Sequence, residues 1–156
     1  PVHTTLAAGT WTNRSPGVEA RYHGFAQTPG DLFVHVPAAN VVWTGNPFIN
    51  EAPAIPWLLD GNGTAAELTL RTVRDSLPAD AIVVPGHGRP LTPADMDFSV
   101  DYLRAMLAGV EAAVRDGLDL DATVAAVALP EFQGYALWGW IHKQVNVPNT
   151  HAELSR

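Results

Sequence analysis

Ala81-Ile82-Val83-Val84-Pro85-Gly86-His87-Gly88 is the stretch on which the fold turns. Ala81–Val84 is a short apolar run, mostly β-branched or small, of the kind that forms a buried strand. Pro85-Gly86 is expected to end that strand, turn the backbone and deliver His87 at its carboxyl edge. Glycine on both sides removes side-chain bulk, so another group can approach the imidazole closely. Ligand sites in open α/β sheets lie just beyond the carboxyl ends of the strands, which makes His87 a candidate site residue. Taken alone, the stretch also fits an ordinary tight turn that contains a histidine. Its surroundings decide between the two.

Upstream, Val18–Tyr22 alternates apolar and charged residues, the period of a half-buried strand. Gly24–Asp31 is rich in turn formers and reads as a loop. Leu32–Val36 and Val41–Thr44 are strands joined by the tight connection Pro37–Asn40, which makes a β-hairpin. A further strand within Val2–Ala7 is weakly indicated. The proline-rich run Pro47–Trp57 is expected to be an irregular loop, because prolines lack the backbone donor. Thr64 with Glu67 matches a helix capping box, and Leu68, Leu70, Val73 and Leu77 give that helix its apolar stripe to about Ser76.

Downstream, Thr92 and Pro93 open a long helix whose apolar residues Phe98, Tyr102, Leu103, Met106, Leu107, Val110 and Val114 recur at three- and four-residue steps. Gly117 ends it. Asp121 is the expected cap of a shorter helix through Val127. Tyr135–Gln144 reads as a last aromatic helix, and Val145–Arg156 as a polar tail. An antiparallel hairpin beside a strand–helix–strand unit is a layered α/β arrangement.

The 156 residues, 47% hydrophobic, suffice for one domain-sized core. A formal charge of −7 and a pI of about 5.1 disfavour nucleic acid and anionic membrane as partners. No stretch approaches the ~20 apolar residues of a membrane span, and no signal peptide is visible. A cytoplasmic location is therefore favoured, although a cysteine-free chain suits either redox environment. The absence of cysteine excludes disulfides, thiolate metal sites and a cysteine nucleophile. Because the chain starts at Pro1 and enters structure almost at once, the expectation is a cut start, a longer precursor or an expression boundary.

Three loops are expected to converge at one sheet edge: Gln27–Asp31, Gly45–Asn46 and Pro85–Gly88. Gln27-Thr28-Pro29-Gly30-Asp31, then Val41-Val42-Trp43-Thr44-Gly45-Asn46, then Val83-Val84-Pro85-Gly86-His87-Gly88 resembles, in order and spacing, the second half of the metallo-β-lactamase-fold superfamily. Val145–Thr150 resembles the same group. The resemblance runs from about Val18 to the C-terminus and implies an αβ/βα sandwich, of which this chain is a single domain or a half-domain with its helices on one face.

The resemblance also implies a dinuclear zinc site, or one for another divalent metal, with a histidine in the first loop and a bridging aspartate at the hairpin end. This chain has Gln27 and Asn46 at those positions, and His87 alone is retained as a metal ligand. The His-x-His-x-Asp-His cluster of the family is absent. A neutral amide oxygen is a poorer zinc donor than imidazole or carboxylate, and Asn46 removes the negative bridge between two ions. Gln27 and Asn46 can instead hydrogen-bond each other or a polar ligand. The implied metal site is therefore impaired or lost.

Among the remaining candidates, His23 precedes Gln27 by four residues and is placed near the same loop. Asp31 and Asp60 are candidates for orienting or loop-capping work; for Asp31, accepting backbone N–H bonds in its own turn is the main expectation. His35 is expected at the surface or in the hairpin, His142 and His151 as solvated or helix-end residues, and His3 lies near the chain start. Trp43, Trp57, Trp138 and Trp140 are pocket-lining candidates, with core packing the alternative for Trp138 or Trp140.

Three functions follow. The chain is a metal-dependent hydrolase, if active, acting on a small molecule. Alternatively it is a non-catalytic descendant that binds a ligand or a partner through the retained pocket. Or it is one half of a two-part fold, pairing with a missing N-terminal half or with a second copy across an apolar sheet face.

Overall fold

The computed structural model describes residues 11–15, 17–50 and 54–156, so the strand expected within Val2–Ala7 lies outside the described residues. Five strands form one sheet in sequence order: β1 (Trp11–Ser15), β2 (Val18–Tyr22), β3 (Phe33–Val36), β4 (Val41–Asn50) and β5 (Ile82–Gly88). Neighbours from β1 to β4 pair antiparallel, and β4 pairs β5 in parallel. The parallel pairing requires a crossover, supplied by α1 (Gly63–Ser76). Helix α2 (Asp97–Arg115) and α3 (Leu120–Ala126) follow, then the short α4 (Trp138–Trp140), a π-helical stretch (Ile141–Asn146) and α5 (Val147–Leu154).

The strand period of two divides the sheet into unlike faces. Phe33, Val42, Thr44 and Val83 point to the helix side and are buried. There they join Leu70 and Val73 of α1 and Val100, Leu103 and Met106 of α2 in one core. The opposite face is set by the register Ala20↔Val34, Val34↔Trp43, Val41↔Ile82 and Trp43↔Val84. It is apolar as well, yet no described element covers it: Trp43 is 45% and Ile82 49% exposed, with Val18 and Leu32 open beside them. An ordinary antiparallel sheet with one solvated face alternates apolar with polar residues. Here β4 and β5 carry apolar residues on both sides, while β2 places Glu19 and Arg21 on the helix side.

Several local expectations are corrected. Strand β5 does not end at Val84: it runs on through Pro85 and Gly86, and His87 pairs in register with Ile49. Likewise β4 continues through Pro47 to Asn50. Between the pairs Gly45↔Pro85 and Ile49↔His87, β4 advances four residues against two of β5. Pro47 falls within this irregular stretch, where an absent N–H breaks no regular ladder.

Asn62, not Thr64, caps α1, accepting from the Ala65 N–H at 2.9 Å. Glu67 is engaged elsewhere, by Arg71 at 3.1 Å and Arg104 at 2.9 Å. Leu68 points to solvent rather than into the stripe. Asp119 rather than Asp121 caps α3. The expected polar tail contains α5, with Val147 and Thr150 buried. Thr92 does open the long helical segment, through a reciprocal capping box with Asp95 on a single 3-10 turn.

Candidate functional site

The irregular β4–β5 pairing brings Asn46 and the Pro85-Gly86-His87 segment together. A Cβ on Gly86 would sit 2.6 Å from the Asn46 backbone nitrogen and against its Oδ1. Only a residue without a side chain allows this approach. Asn46 is half-buried there, while Gly86 and His87 are exposed.

His87 is placed in an aromatic row. The Trp57 ring lies over the imidazole, with centroids 5.8 Å apart and planes 30° apart. Trp140 meets Trp57 edge-on at 6.0 Å and is 45% exposed. The indole nitrogen of Trp57 is buried with no hydrogen-bond partner among the described residues. Both tryptophans thus belong to this edge of the sheet. Trp138 does not: it stacks on His142 in the core at 4.2 Å, and Trp43 stands on the open sheet face.

Gln27 is buried in the loop before β3, and its amide nitrogen has no partner among the described residues. It therefore does not donate to Asn46, which removes half of the expected amide pairing. Asp31 behaves as a turn residue: its Oδ2 accepts from the Thr28 N–H at 2.7 Å. His23 is half-buried with its ring edge-on to Phe33 at 5.6 Å. Burial, and secondarily the Arg21 charge, hold its pKa below the usual histidine value. Asp60 is exposed, at a polar cavity of about 220 Å³ shared with Asn62, Asn149 and Glu153.

The other histidines sort as follows. His35 is half-buried with neither ring nitrogen bonded among the described residues. His151 reaches the Leu118 carbonyl at 3.3 Å. His142 is fully buried, contrary to the solvated position expected of it. Its Nε2 lies 2.6 Å from the Val127 carbonyl and its Nδ1 2.9 Å from the Tyr102 hydroxyl.

Donor chemistry tests whether the metal implied by the resemblance fits. Among the described residues no three His, Asp or Glu side chains stand close enough to hold an ion. Among the described residues the Trp57 indole stacks on His87 and the Asn46 amide packs against the adjacent Gly86, and neither neutralises a divalent cation. This donor set by itself does not fit a dinuclear site.

Sequence reasoning marked Val145–Thr150 as part of the resemblance but gave no role to the side chains on this last helical segment. Asn146, Asn149, Thr150 and Glu153 recur at helical spacing, and all four face the segment that carries Trp57 or the start of α1. The three- and four-residue steps were visible in the sequence. Their polarity disguised them as a tail.

No family model and no curated protein matches the sequence. Solved structures do. A metallo-β-lactamase from Hirschia baltica superposes with a TM-score of 0.54 at 17% identity, over 65% of this chain and 46% of that one. A β-lactamase domain protein from Burkholderia ambifaria gives 0.55 at 17% identity, over 97% of this chain and 45% of that one. The chain thus spans under half the length of either structure. By its sheet-and-helix layering the chain carries the metallo-β-lactamase fold over part of the length of those structures.

Proposed function

We propose that this chain is a metallo-β-lactamase-like half-domain that binds, or acts on, a small molecule at the His87 edge, with a dinuclear metal site that is impaired or lost. The observation that carries the proposal is the packing of Asn46 against Gly86. It puts a neutral amide beside the strand that bears His87, at the position where the resemblance implies a bridging carboxylate. The buried donors of Gln27 and Trp57, without a partner among the described residues, support a ligand or a further segment with acceptor groups. An unmet buried donor costs about 1–3 kcal/mol, which such a partner would recover. The aromatic row suits a molecule with flat apolar surface.

Metal analysis of the purified chain after zinc loading and desalting tests this. Substoichiometric zinc, unchanged by His87→Ala, is expected. One or two retained equivalents, lost in His87→Ala, would overturn the impaired site.

A second reading is favoured by the open apolar face of the sheet. In it the chain is an interaction half, completed by a segment or chain that presents its own apolar sheet. The two readings are compatible.

A further inference from the structure

We infer that Asn146 and Asn149 are positioning residues for the His87 edge: from the last helical segment they grip the backbone on both sides of Trp57 and so fix its indole over His87. This rests on the proposal that the His87 edge is the functional site. The geometry itself does not depend on what binds there.

Asn146 is fully buried and spends its side chain on the segment around Trp57. Its Oδ1 accepts from the Leu58 N–H at 2.9 Å, and its Nδ2 donates to the Pro56 carbonyl at 2.7 Å. The two bonds bracket Trp57 in sequence. Asn149 adds a third, from its Nδ2 to the Leu58 carbonyl at 2.8 Å. One turn further on, Glu153 accepts from the Gly63 N–H at 2.6 Å, and Gly63 lies so near Thr150 that a Cβ would meet its Oγ1 at 2.9 Å. One face of the helical segment thus holds the chain from Pro56 to the start of α1.

Chemistry fixes the direction of every bond at the centre. The Val127 carbonyl can only accept, so His142 carries its proton on Nε2 and its Nδ1 accepts from the Tyr102 hydroxyl. The Tyr102 oxygen then accepts the second Nδ2 proton of Asn146, at 3.0 Å. Flipping the Asn146 amide would set its oxygen against the Pro56 carbonyl and its nitrogen against the Leu58 N–H. One orientation of the amide satisfies all its neighbours, so it holds the Pro56–Leu58 backbone in one place. That backbone carries the only described ring stacked on His87.

Ring-current shifts read this placement directly. In the full chain, the imidazole C–H proton signals of His87, assigned by their loss in His87→Gln, are compared with those in Trp57→Leu, which has no indole. Asn146→Ala is expected to move them most of the way to the Trp57→Leu positions while far-UV circular dichroism stays native; Asn149→Ala is expected to move them the same way by less. Unchanged His87 signals in a natively folded Asn146→Ala would overturn the inference. If Asn146→Ala does not fold, Asn149→Ala decides: a shift toward Trp57→Leu supports the inference, and no shift overturns it. Neither readout involves zinc or ligand, so failure here is separable from failure of the proposed function.

Discussion

Gly86 and Asn46 are packed so closely that no side chain fits between them: a Cβ on Gly86 would stand 2.6 Å from the Asn46 nitrogen. Gly86→Ala is therefore expected to destabilise the chain by about 1–3 kcal/mol, the range for overpacking, measured by urea denaturation. Asn46→Gly in the same background should recover only part of the loss, because the backbone contact remains. Full recovery would mean that the clash is with the side chain alone.

Tyr102 stands between His142 and Asn146 at the centre of the buried network. Burial pushes its pKa up, which keeps the hydroxyl protonated as the donor to His142. Tyr102→Phe keeps the ring and strips the hydroxyl, leaving His142 Nδ1 and one Asn146 N–H buried without this partner. A loss of about 1–3 kcal/mol is expected in urea denaturation, the cost of leaving such groups unmet. A neutral result would show that the two groups find other partners.

His23, His35 and His142 all have pKa values lowered from 6.5, chiefly by burial, with Arg21 adding to the first two and Lys143 to the third. A depressed folded value means the unfolded chain binds protons first as pH falls. Stability is then full above about pH 6.5, the unfolded histidine value, and declines as pH drops from there toward the folded values. Urea midpoints measured from pH 8 to pH 5 should fall through this window, with a shallower slope in His142→Gln. A midpoint that rises on acidification would contradict the burial of these rings.

Asn62 combines a cap with an unfavourable backbone, accepting from Ala65 while its own φ is +135°. Asn62→Gly gives up a few tenths of a kcal/mol of capping and relieves a conformation worth about 1 kcal/mol or more. It should be neutral or stabilising, and Asn62→Ala destabilising. Thermal melts of the two variants check the order.

Val18–Tyr22, Val41–Thr44 and Ala81–Val84 were legible as strands because alternation and β-branching are local signals. The continuation of β4 through Pro47 was not, since it depends on where the irregular stretch falls against β5. Asn62 and Asp119 each sit two residues before an equally plausible cap, and only the backbone geometry separates the pairs. At the site, the juxtaposition of Asn46 with the Pro85–His87 segment followed from motif order. Trp57 on His87 did not, because the residues that put it there lie about ninety positions further along the chain.

Val18, Trp43 and Ile82 stand on a sheet face that no described element covers, as expected of the proposed half-domain. Light scattering coupled to size exclusion, at micromolar concentration, tests it most directly. The chain of 16.7 kDa should elute as a dimer or larger species, reduced toward monomer in the double variant Trp43→Lys, Ile82→Lys. A monodisperse monomer that unfolds in one sharp cooperative transition would contradict a sheet face in need of a cover.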